Sequence, residues 1–206
     1  MATHTFASLD LAKAKRLADL TGIQHDLESA KELATRLVGQ WGSEKYDSVL
    51  LDALSVAVLV RYSRAFVTGV RKRLSSEELS LLSEEQREKH DRLRAWRDKH
   101  IAHSVNAFEE NQPVVRFCLE RVKEEGVYGI ECNHGRVIAL SQIESKFVIE
   151  LADVFLNYVR GEIASEKKKL LVIARGIPID DLLSPDRQRA MLVSGEPIEK
   201  RRKKIF

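Results

Sequence analysis

Apolar positions recur along most of this chain at helical spacing. "LDLAKAKRLADL" is a short amphipathic segment that the pattern interrupts at Thr21-Gly22. From Gln24 to Trp41, the residues Leu27, Ala30, Ala34, Leu37 and Trp41 fall on one face, the recurrence of an amphipathic helix. Gly42-Ser43 ends it. A longer segment, from about Glu44 to Arg73, is apolar around most of its middle and predicts the central buried helix. Three capping boxes then mark helix starts: Ser75 with Glu78, Ser83 with Gln86, and Ser141 with Glu144. In such a box each side chain satisfies a backbone N–H of the other residue. The second box opens a helix over 84–104, roughly 30 Å long at 1.5 Å per residue. The third opens the last long helix, with Ile143, Phe147, Leu151, Val154, Phe155, Tyr158 and Val159 as its face. Lys167 to Lys169 suit its C-terminal end.

Two stretches read differently. Residues 114–125 fit a helix with Pro113 near its start, a stripe of Val115, Cys118, Leu119 and Val122, and Gly126 past its end. They also fit a strand, since Val115, Phe117 and Leu119 alternate; the helix is the preferred reading. "VYGIECNHGRVIAL", 127–140, reads as a β-hairpin turning at Asn133-His134-Gly135. After residue 170 the pattern predicts one short helix following Ser184-Pro185 and otherwise a packed or swapped arm. The expected architecture is an all-α antiparallel helical bundle over 1–170 with a small β-hairpin insertion at 127–140. A C-terminal arm with a basic tail follows, over 171–206.

Composition agrees with this. At 206 residues the chain is most simply one domain. Apolar residues at 44% are too many for wholesale disorder, and only 4 Pro and 10 Gly favour long helices over a sandwich or barrel. Cys118 and Cys132 form no CxxC pair, and "MATHTFASLDLAKAKR" is no signal peptide, so the expectation is reduced thiols in a cytoplasm. The run "ALSVAVLV" at 53–60 falls far short of the roughly 20 residues that cross a bilayer, so no membrane partner is expected. Net charge is +3, and "EPIEKRRKKIF" supplies all of it with five Lys/Arg and two Glu. The body is therefore neutral on balance, and any nucleic-acid contact has to come from a local patch or from that tail.

The chemistry concentrates in "LRAWRDKHIAHS", 93–104. The stripe of Leu93 and Trp96 continues into His100 and His103, with Arg97 on its edge. On a regular helix Arg97 and His103 are about 120° apart around the axis and about 9 Å apart along it. They meet one small group only if another surface closes over them. A second copy related by a two-fold axis is the expected closing surface, giving a composite site in a homodimer.

"RDKHIAHS" resembles the R-x(4–6)-H motif of HEPN (higher eukaryote and prokaryote nucleotide-binding) domains. The likeness is to their abortive-infection and toxin branches, where R-[N/D]-K-x-x-A-H-S recurs. Arg97 matches the motif arginine, Asp98 the polar residue after it, and His103 the motif histidine. The resemblance covers roughly 24–168 and leaves the hairpin and the C-terminal arm unexplained. It implies a HEPN-like bundle, a dimer, and a metal-independent endoribonuclease of the defence or toxin type with no cofactor. An antitoxin such as a small nucleotidyltransferase is the partner it suggests.

The residues suit that chemistry. RNA carries its own nucleophile, the 2′-OH. His103, with a reference pKa of about 6.5, can accept or donate the proton. Arg97 stays charged and can hold two phosphate oxygens. Asp98 can orient a partner, while His100 and Ser104 are auxiliary candidates. Arg61 and Arg64, which interrupt the most apolar helix, are either its solvated end or line the same cleft as the motif and bind RNA phosphates. Against this stand plainer readings: imidazoles bonded to backbone carbonyls or to Ser104, and Arg97 as an interhelical ion-pair donor. Two other functions remain open, a non-catalytic dimeric interaction or sensing module and a nucleic-acid-binding accessory protein using the tail. A metal site is not expected. His100 and His103 find no third ligand, and Cys132-x-His134 with Cys118 lacks a fourth.

Overall fold

The computed structural model describes residues 6–9, 11–67, 69, 71–101, 109–119, 121, 126–136, 139–184 and 187. In chain order the elements are α1 (Leu11–Trp41), α2 (Ser48–Arg64), α3 (Ser76–Leu79) and α4 (Glu84–Trp96), which passes into a π turn (Arg97–Ile101). Strands β1 (Glu109–Phe117) and β2 (Val127–Arg136) follow, then α5 (Gln142–Arg175) and α6 (Ile179–Leu182). Four long helices build a bundle, and the two strands form a separate antiparallel hairpin.

Cross-helix contacts fix the directions. Along α1, Arg16 pairs with Glu162 and Glu166, Glu28 with Arg160 and Lys31 with Asp153, so α1 and α5 run antiparallel. Along α4, Lys89 meets Glu150 and Arg92 meets Glu144, so α4 and α5 are antiparallel too. The order is up, down, up, down. At the end of the bundle where α1 finishes and α5 begins, both backbone groups of Leu140 are claimed by other helices. Trp41 Nε1 donates to its carbonyl at 2.8 Å, and its N–H donates to Ser55 Oγ at 2.9 Å. Between the helices lie Leu27, Ala30, Ala34 and Leu37 of α1, Leu51, Val58, Leu59 and Tyr62 of α2, and Val148, Leu151, Phe155 and Val159 of α5, all buried. Burying one such Leu, Val or Phe side chain is worth about 1.5–3 kcal/mol, so these faces hold the bundle together.

The three capping boxes form as the sequence predicts. Ser83 and Ser141 each accept from the N–H three residues on, at 3.2 Å, and Gln86 and Glu144 return the bond. The Glu78 carboxylate accepts from both the N–H and the hydroxyl of Ser75.

Several expectations need correction. Thr21-Gly22 does not break α1. The Thr21 hydroxyl bonds back to the Leu17 carbonyl at 2.8 Å, and packing on α5 along both halves outweighs the roughly 1 kcal/mol that a helical glycine costs. The expected helix from 44 to 73 is shorter. Asp47 caps it, accepting from Val49 and Leu50 N–H, and beyond Arg64 the chain turns so that Phe66 and Leu74 enter the core. Residues 109–117 are strand and not helix, pairing Asn111 with His134 and Val115 with Ile130. The alternation of Val115 and Phe117 wins over the helical stripe, and Asn133-His134-Gly135 lies within β2 instead of at the turn. Pro113 is tolerated because each strand of a two-stranded sheet is an edge. Gly126, with φ at 61°, sits where β2 begins and takes the left-handed backbone that glycine permits. Helix α5 continues to Arg175, past the expected domain limit at 170, and stops at Gly176 before Pro178. A short helix lies at Ile179–Leu182, ahead of Ser184; of the residues after 184 only Arg187 is described. Among the described residues, no helix is long and apolar enough to cross a membrane.

Candidate functional site

Helix α4 turns His90, Leu93 and Trp96 into the core, at intervals of three. His90 was legible as a core position, three residues before Leu93, yet the sequence reading did not single it out. It is fully buried, with Nδ1 2.8 Å from the Tyr62 hydroxyl and the rings of Phe66 and Phe155 edge-on at 4.6 and 6.2 Å. Its Nε2 has no hydrogen-bond partner among the described residues. Burial pushes its pKa down to about 4, opposed by Asp91 and reinforced by Arg94 and Arg87. This imidazole is neutral and structural.

The candidate motif starts one residue after Trp96, where the helix changes type. Arg97–Ile101 form a π turn, in which each bond spans five residues and one extra residue is accommodated. The 120° splay expected between Arg97 and His103 assumes a regular helix through 104, and that assumption ends at Arg97. The turn packs beside α2. Arg97 is a third exposed, and its Nη1 donates to Asp98 Oδ1 at 2.8 Å. Among the described residues its ion pair is thus with its neighbour in the turn and not with a facing helix. His100 has its backbone in the π turn. His103 and Ser104 lie outside the described residues.

Arg61 and Arg64 are engaged elsewhere. Asp26 of α1, 3% exposed, receives Arg61 Nη1 at 3.3 Å, Arg64 Nε at 3.5 Å and Arg71 Nη2 at 2.6 Å. Arg71 Nη2 also caps α2 by donating to the Arg64 carbonyl at 3.1 Å. Tyr62 meets α4 at the level of His90, and Arg97 lies about 10 Å further along that helix. The arginine cluster and the motif arginine therefore sit at different levels of the bundle. Asp26 escaped the sequence reading, although Ile23, Asp26, Leu27 and Ala30 share helical spacing and a carboxylate on that face needs partners.

Cys132 and His134 lie on β2, and His134 Nδ1 is 2.7 Å from Asn111 Oδ1 across the hairpin. Among the described residues, no three His, Cys, Asp or Glu side chains are grouped as metal ligands. No family model matches this chain, and neither a curated protein nor a solved structure matches it.

Proposed function

We propose that this protein is a HEPN-like, metal-independent endoribonuclease of the defence or toxin type, working as a homodimer. One observation carries the reading: the motif arginine, Arg97, opens a π turn just where the buried stripe of α4 leaves the core, and among the described residues its guanidinium pairs with Asp98 beside it. A guanidinium held in that way keeps donors for a phosphate. In the reaction the RNA 2′-oxygen attacks the adjacent phosphorus and its proton passes to a base. The 5′-oxygen departs with a proton, leaving a 2′,3′-cyclic phosphate and a 5′-hydroxyl. His103 is the proton-transfer residue, Arg97 balances charge on the phosphorane, and His100 and Ser104 assist. An antitoxin, such as a small nucleotidyltransferase, restrains it.

Wild-type protein should cleave RNA in EDTA to cyclic-phosphate ends. Arg97→Ala and His103→Ala should each abolish cleavage while melting stays within a few degrees. Intact RNA with pure wild-type protein would sink the proposal. The second reading, a non-catalytic dimeric module, draws on the hairpin, whose Val115, Phe117, Val127 and Ile130 are exposed.

A further inference from the structure

We infer that Arg61, Arg64 and Arg71, gathered around Asp26, form a phosphate-binding site apart from the 97–104 segment, which takes the phosphate groups of an RNA chain or of a free nucleotide. The charge balance is the first argument. Elsewhere in the bundle a cross-helix cation meets one or two carboxylates, as at Lys31–Asp153 and at Arg16 with Glu162 and Glu166. Here three guanidinium groups share one carboxylate, which leaves two positive charges in excess. The segment that carries them adds no carboxylate, since residues 53–76 contain five Lys/Arg and no Asp or Glu. Asp19 of α1 stands nearby, its Oδ2 accepting from Lys72 N–H at 3.2 Å, and even with it the cations outnumber the carboxylates. The C-terminal end of α2 offers only about half a charge, and Arg71 already caps it. Cohesion of α1 and α2 needs one cation on Asp26, and two more repel each other unless an anion joins them.

The second argument is construction. Asp26 is buried while Arg61 and Arg64 remain 46% and 55% exposed, so the carboxylate acts as an inner tether and the guanidiniums face outward from it. Arg71, at 22% exposure, lies against α1 where residue 22 has no side chain: a Cβ there would stand 2.7 Å from Arg71 Nη1. A glycine in mid-helix thus makes room for the third guanidinium. Among the described residues, Arg61 offers Asp26 one terminal nitrogen and Arg64 its Nε, and each guanidinium has five donors, so others can turn to a ligand. Tetrahedral oxyanions suit converging guanidinium forks.

The RNA source rests on the proposed function; the free-phosphate source does not. The test uses the full chain and two probes. Pyrophosphate binding is followed by calorimetry, and binding of a fluorescein-labelled RNA 12-mer by anisotropy in EDTA, on a His103→Ala background so that the RNA stays whole. Arg61→Ala and Arg64→Ala, both at half-exposed positions, should each weaken binding roughly tenfold, the effect of one lost charged hydrogen bond. Each should also reduce the salt slope of RNA binding by about one. Gly22→Ala, which displaces Arg71, should weaken binding while keeping all three charges. Arg36→Ala, an exposed arginine paired with Glu32, is the control and should change nothing. Loss for RNA alone identifies a polymer ligand, and loss for both probes a site that also takes free phosphates. Either supports the site. Binding by the cluster variants equal to that of Arg36→Ala, or wild type binding neither probe, overturns it. RNA cleavage with unaltered cluster variants would remove this inference and leave the nuclease; cluster binding without cleavage would do the reverse.

Discussion

Mild acid should destabilise this protein through one side chain. His90 is fully buried against Tyr62, Phe66 and Phe155, and its pKa is pushed down to about 4 by burial, from about 6.5 in an unfolded chain. Below pH 6.5 the unfolded ring binds a proton and the folded ring does not. Stability is therefore whole above about pH 6.5 and falls as pH drops, until the folded ring titrates near 4. The full difference is roughly 3 kcal/mol at 1.36 kcal/mol per pH unit; by pH 5 it is about 2 kcal/mol, and at pH 7.5 almost nothing. Carboxylates do not confuse this window. Glu28, bonded by Gln24, Glu150, bonded by Gln86, and Glu78, bonded by Ser75 despite its burial, are all held below the usual value of 4.5. Their contributions are intact above that value and decline only below it. Urea unfolding followed by far-UV circular dichroism, at pH 7.5 and pH 5, measures the loss. The comparison is His90→Phe combined with Tyr62→Phe, which leaves neither polar group orphaned. The double variant should lose about 2 kcal/mol less than wild type on acidification, whatever its stability at pH 7.5. An equal loss in both proteins would refute a buried neutral His90.

Three further outcomes follow from single contacts. Ser55→Ala should cost about 1–3 kcal/mol in urea unfolding, because it strands the buried N–H of Leu140 where α5 begins. Ser141→Ala, which removes the N-cap of α5, should cost about 1 kcal/mol by the same assay. Asp26→Asn keeps the shape but not the charge under three guanidiniums, and should lower stability by about 1–3 kcal/mol; an unchanged midpoint would show that the cluster contributes no cohesion.

What could be read from the chain was local. Capping boxes depend on residues three apart, so Ser75, Ser83 and Ser141 announced their helices directly. The buried stripe of Leu27, Ala30, Ala34 and Leu37 needed only a period. Misreadings arose where distant contacts decide. Thr21-Gly22 reads as a break until α5 packs along both sides of it, and the true end of α2 is set by Phe66 and Leu74 finding the core. Residues 114–117 satisfy both periods, and a pairing partner more than ten residues away settles the matter. Of the candidate site, Arg97 and Asp98 were identified by motif, while their mutual contact and the π turn were invisible to a helical wheel. The Asp26 cluster joins α1 to the far end of α2 and to Arg71, and no spacing rule links those positions.

The pairing of α1 with α5 also has a consequence for how the chain is made. Arg16 meets Glu162 and Glu166, so the interface along α1 joins residues nearly 150 positions apart. The α1–α2 pair can dock as soon as residue 64 has emerged. At 5–20 residues per second, about 5–20 s then pass before the facing turns of α5 exist. During that interval the α5-facing side of α1 is open to whatever else is nearby. Closing so long a loop costs little extra free energy, since each doubling adds only about 0.6 kcal/mol, but it delays the step that completes the core. A ribosome stalled before α5 would hold a helical pair with its apolar side uncovered, a natural client for a holdase.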